Sequence, residues 1–118
     1  MRDDRQKPRR TAALGLILAM FCLSWPVRAE EPAPITVTLK DHRFDPAEIH
    51  LPTGKPAALH VINLDDTAEE FDSSALQVEK VIAAGHYATI RLRPLAPGRY
   101  PFMGEFHPDS AKGVVVSE

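Results

Sequence analysis

Arg99-Tyr100-Pro101-Phe102-Met103-Gly104-Glu105-Phe106-His107-Pro108-Asp109-Ser110-Ala111-Lys112-Gly113 is the stretch from which the rest of the chain is read. It opens as an alternating strand, with Tyr100 and Phe102 on one face and Met103 on the other. Gly104 ends the alternation, and the loop that follows carries Glu105, His107 and Asp109. After Gly113 the chain resumes as the strand Val114-Val115-Val116. A strand, a histidine-bearing loop and a return strand form a natural holder for a metal ion, so the loop poses the functional question at once.

Upstream of this stretch the pattern is short strands separated by turns. Ile35-Thr36-Val37-Thr38-Leu39 alternates apolar and hydroxyl residues, as a half-buried strand does. Lys40 to Pro46 reads as a turn-rich link with Phe44 plugging the core. Glu48-Ile49-His50-Leu51 is a second strand with Ile49 and Leu51 inward, and Pro52 to Pro56 is a turn around Gly54. Ala57 to Leu64 is the most continuously apolar run and reads as a central strand. Asp65 to Ala75 reads as a long acidic connection pinned by Phe71, its one large apolar residue. Leu76–Ile82 and His86–Leu92 read as two more strands, the second with Ala88, Ile90 and Leu92 on one face. No segment sustains an apolar period of about 3.6 residues. Seven or so short strands at this spacing predict an all-β Greek-key sandwich over residues 35–118.

The first 29 residues read differently. A basic start (Arg2, Arg5, Lys7, Arg9, Arg10) precedes an apolar run from Thr11 to Trp25, then Pro26 and Val27-Arg28-Ala29. This is the layout of a cleaved secretory signal peptide, with cleavage after Ala29 and a flexible lead-in over 30–34. A retained anchor would need roughly 20 apolar residues to cross a bilayer. Phe21 before Cys22 argues against a lipoprotein signal, and Thr11-Ala12-Ala13 after Arg9-Arg10 argues against twin-arginine export. The expected location is therefore the periplasm, with no transmembrane segment left after cleavage.

Cleavage changes the electrostatics. The whole chain carries 14 basic and 16 acidic residues, a net charge of −2. Without the leader, eight basic residues face fourteen acidic ones, about −6, and all five histidines remain. Such a domain lacks the clustered Lys and Arg that nucleic-acid binding needs, and favours a cationic partner or a metal ion. The one cysteine, Cys22, lies in the leader, so the domain has neither disulfide nor thiolate. No nucleophile elbow, P-loop, HExxH or paired CxxC motif is present to support a common enzyme class.

Several runs together resemble a known family. Phe44-x-Pro46-x-Glu48-Ile49, Pro52-Thr53-Gly54-Lys55-Pro56 and the strand ending at Asn63 are similar to the front half of a cupredoxin. Val81-Ile82-x-x-Gly85, Pro97-Gly98-x-Tyr100-x-Phe102 and a histidine before a glycine-led last strand are similar to its back half. The resemblance covers nearly all of 35–117, and within the family it looks most like the small exported domains of bacterial Efe-type iron-uptake systems. It implies a cupredoxin-like β-sandwich of about seven to eight strands and a role in handling iron or copper for a membrane permease.

The resemblance also implies where copper ligands would stand. The first histidine position falls at Glu69, the cysteine at Gly104, the second histidine on His107 and the methionine near Lys112. Blue-copper electron transfer depends on a Cu–thiolate bond, which glycine cannot supply. The expected site is a substitute set of Glu69, Glu105 and His107, with Glu105 and His107 two residues apart and able to share a side of an extended loop. Two carboxylates and an imidazole suit Fe²⁺, Mn²⁺ or Zn²⁺ and tolerate Cu²⁺. Glu70, Asp72 and Asp109 could supplement the set, whereas the alternation turns Met103 away from it. His42, His50, His60 and His86 read as edge, turn or sheet-face residues rather than ligands. The competing readings are a metal-free docking module, with these carboxylates as solvated loop charges, and, with least support, a ferroxidase-like accessory enzyme.

Overall fold

A computed structural model describes residue 15, residue 17, residues 21–26 and residues 33–118 of the chain. The basic start of the chain, most of the apolar run after it and the expected cleavage position lie outside the described residues. Among the described residues no helix is long and apolar enough to cross a membrane.

Among the described residues, nine strands make two mixed sheets. In chain order they are β1 (Ile35–Lys40), β2 (Arg43–Asp45), β3 (Glu48–Leu51), β4 (Ala57–Asn63), β5 (Glu69–Ser73), β6 (Val78–Ile82), β7 (Tyr87–Leu92), β8 (Gly98–Gly104) and β9 (Lys112–Ser117). One sheet has the order β2-β1-β4-β7 and the other β3-β9-β8-β5-β6. The early strands divide between the two sheets and pair in parallel, β1 with β4 and β3 with β9. The remaining pairings are antiparallel. This is the expected all-β cupredoxin-like sandwich.

The period-two alternation explains which residues meet between the layers. Val37 and Leu39 from β1, Leu59 and Val61 from β4, and Ala88, Ile90 and Leu92 from β7 form one inner face. Ile49 and Leu51, Phe71, Phe102 and Val115 form the other. At the middle Phe44, Phe71 and Phe102 pack ring to ring, with centroids 4.8 to 5.9 Å apart. Phe44 is the plug and Phe71 the pin that their isolation in polar stretches implies. Gly113 lies against the Phe102 ring, in space that any side chain at 113 would need.

Two strands stand where the sequence reads as connection. In β2 only Phe44 turns inward, too short a run to show a period. In β5 the alternation is complete, buried at Glu69, Phe71 and Ser73 and half-buried at Glu70 and Asp72. Its inward residues include a carboxylate and a hydroxyl, so the period is invisible to any reading based on apolar residues. Conversely, Leu76 and Gln77 belong to the turn before β6, with Gln77 at a φ of 57° and Leu76 still buried. Leu64 falls beyond the end of β4 and is exposed.

Candidate metal centre

Three chain segments meet at one end of the sandwich: the β1–β2 turn, the start of β5 and the β8–β9 loop. Glu69 opens β5 on its inward face and is only 1% exposed. A carboxylate buried to this degree needs donors, and it has them. The Phe106 and Glu70 backbone N–H groups donate to its Oε1 at 2.9 and 3.1 Å. The His107 Nδ1 lies 2.6 Å from its Oε2.

The β8–β9 loop presents His107 by folding back on itself. The His107 N–H donates to the Gly104 carbonyl at 3.1 Å, and the Ala111 N–H donates to the His107 carbonyl at 2.9 Å. Glu105 to Ser110 is therefore a succession of turns and bends rather than extended chain. That difference moves Glu105. The rule that residues two apart share a side holds for a strand and fails in a turn. Glu69 and His107 come together as expected, while Glu105 lies outside their cluster, exposed and beside Glu70.

The third member of the cluster is His42. Its ring stacks on that of His107, with centroids 3.5 Å apart and planes within 11°. One ligand-capable atom from each of His42, Glu69 and His107 can be chosen so that all lie within 4.8 Å of one another. Asp41 and His42 both take positive φ, 52° and 56°, and the turn is held by Asp65. The Asp65 carboxylate accepts the Asp41 N–H at 2.6 Å and the His42 N–H at 3.0 Å. Buried Asn63 fixes Asp65 in turn, accepting its N–H at 3.0 Å while donating to the Thr67 and Ile82 carbonyls. No local motif marks His42, because what brings it to the site is a contact with a residue 23 positions away.

The donor set fits a divalent ion in kind: two imidazoles and one carboxylate suit Fe, Zn or Cu(II) and offer nothing soft for Cu(I). The His42 Nδ1 is buried and makes no hydrogen bond, although the Asp65 Oδ2 stands 3.4 Å from it. Ligands at about 2.1 Å from an ion stand no more than about 4.2 Å apart, a separation close to the cluster's own. Each ring must also hold the ion in its own plane, which two parallel stacked rings cannot do together. One ring has to turn, and half-exposed His42 has the room.

The remaining sequence candidates sit around the rim. Asp72 faces Met103 across the β5–β8 pairing, Met103 is 41% exposed on the outer face as its alternation requires, and Asp109 is exposed. Glu70 is raised from its ordinary value, first by desolvation, then by the charge of Glu105 and a hydrogen bond to it, with Glu79 and Asp72 adding repulsion. A carboxyl raised in the folded state opposes folding once it ionises, so stability falls as pH rises through its folded pKa. Glu70→Gln is expected to raise the melting temperature at pH 7 and to leave it unchanged near pH 3, where the wild-type carboxyl is already protonated. Thermal melts of both proteins at the two pH values check this.

Comparison with known proteins agrees with the architecture. A family model described as a cupredoxin-like domain matches residues 13–117, and the chain belongs to that family. A curated relative, the uncharacterized protein RP394 of Rickettsia prowazekii (strain Madrid E), is 39% identical over 82 residues. The match covers 70% of this chain and 66% of the relative, just under two thirds of its length. Among solved structures, the metal-binding domain of the Cu(I)-exporting P-type ATPase CopA of Streptococcus pneumoniae superposes with a TM-score of 0.65 at 21% identity. That likeness covers 72% of this chain and 84% of the domain. A reduced single-site variant of amicyanin gives a TM-score of 0.61 at 18% identity, over 72% and 82% of the two chains.

Proposed function

We propose that this chain is an exported, cupredoxin-like metal-binding protein of the periplasm, accessory to the uptake or handling of iron or copper. In this reading it binds an ion as cargo and passes it to a membrane permease; it is neither an enzyme nor a blue-copper electron carrier. The observation that carries the reading is the convergence of His42, Glu69 and His107 at the open end of the sandwich. The absence of any cysteine in residues 33–118 supports the exclusion of thiolate chemistry. The CopA domain, whose solved structure contains Cu(I), supports a metal on this fold. The leader-like start supports export, and the acidic domain suits a cationic cargo.

The test is titration calorimetry of the mature protein with Fe²⁺, Cu²⁺, Zn²⁺ and Mn²⁺. Binding of at least one is expected, with affinity reduced on the order of 100-fold by His42→Ala, as loss of one of three ligands implies. No heat from any of the four ions overturns the reading. Affinity unchanged by His42→Ala removes His42 from the site.

One observation favours a second reading, a metal-free docking module on the same fold. Glu69 already has three donors, so its burial is compensated with no ion present. Under that reading the melting temperature is indifferent to chelator and to added metal, because nothing binds the native state.

A further inference from the structure

Gly104 and Glu69 are bound together by space. A β-carbon built on Gly104 would lie 2.5 Å from the Cδ of Glu69 and 2.8 Å from its Oε1. It would also lie 2.7 Å from the Ala111 β-carbon. Two of the three nearest atoms therefore belong to the carboxylate, and the third to a fully buried alanine. Glu69 has little freedom to give way, since the Phe106 and Glu70 N–H groups hold Oε1 and His107 holds Oε2. The φ of Gly104 is not in the left-handed region, so its backbone does not demand glycine. What demands glycine is crowding, by the Glu69 carboxylate and by the Ala111 β-carbon beside it.

We propose that Gly104 is the specificity-determining residue of the site: the room left by its missing side chain admits the Glu69 carboxylate, so a carboxylate at 69 and any side chain at 104 exclude one another. A side chain at 104 needs Glu69 to change, and Ala111 to give way as well. A thiolate introduced at 104 alone meets the carboxylate where it needs to stand, and the site offers oxygen and nitrogen donors only as long as 104 is bare. The significance for metal choice rests on the metal-site reading above, whereas the exclusion itself is a property of the protein without metal.

The experiment is therefore run on the mature protein in chelator. Gly104→Ala is made in two backgrounds, Ala111→Gly and Glu69→Ala/Ala111→Gly, so that the Ala111 contact is removed from both. In the first background the melting temperature is expected to fall on the order of 10 °C, the scale of an overpacked core in a domain this small. In the second, with the carboxylate gone, the fall is expected to be within about 3 °C. Folding only in the second background counts the same way. An equal fall in both, or failure to fold in both, overturns the proposal. Calorimetric titration of the unsubstituted protein fails or succeeds separately, so loss of the metal reading is distinguishable from loss of this one.

Discussion

Glu69→Ala is expected to abolish divalent-metal binding and to lower the free energy of unfolding by about 3 kcal/mol. The two losses have different origins. The metal loses its one buried carboxylate, while the protein loses the acceptor for two backbone N–H groups and for His107. Donors stranded in the interior cost more than the bonds they once made were worth. Glu69→Gln separates the effects, because an amide oxygen can still accept from Phe106 and Glu70. Its expected cost is about 1 kcal/mol, with metal binding reduced nearly as far as in the alanine variant. Urea denaturation and calorimetric titration of the three proteins read both quantities. Full metal affinity in Glu69→Ala would place the ion elsewhere.

Phe71→Ala is the second large effect, at about 3–5 kcal/mol of stability. Phe71 is fully buried on β5, meets Phe44 edge-on and stacks with Phe102 at 4.8 Å. A domain of this size holds a total margin of about 5–15 kcal/mol, so the melting temperature should drop on the order of 20 °C. Phe71→Leu, which fills most of the space, is expected to lose less than half as much. Because Phe71 stands two residues from Glu69 on the same inward face, the alanine variant should also weaken metal binding without touching a ligand. A drop in melting temperature of only a few degrees would mean that the three rings do not form the keystone of the core.

The legible and illegible parts of this chain differ in the range of the interactions that made them. Strands β1, β3 and β7 are legible because their inward residues are apolar and most of their outward ones are polar. Strand β5 is not, since Glu69 and Ser73 are buried for reasons of hydrogen bonding rather than hydrophobicity. At the site, Glu69 and His107 are legible only through resemblance to a family whose ligands fall at those positions. Glu105 stands apart from the cluster because its loop folds into turns, and His42 joins it because Asp65, far along the chain, carries it there, which no local pattern can show. Alternation reports what a residue does within its own strand. It is silent on which turns will be neighbours after two sheets close.

The parentage of the three site residues has a mechanical outcome. His42 comes from the turn of the first sheet, and Glu69 and His107 come from the second. An ion held by all three would act as a clasp across the mouth of the sandwich, fastening one layer to the other where no strand pairing joins them. Loading would then slow hydrogen exchange at the Asp41 and His42 amides, and unloading would free the first sheet's turn to move.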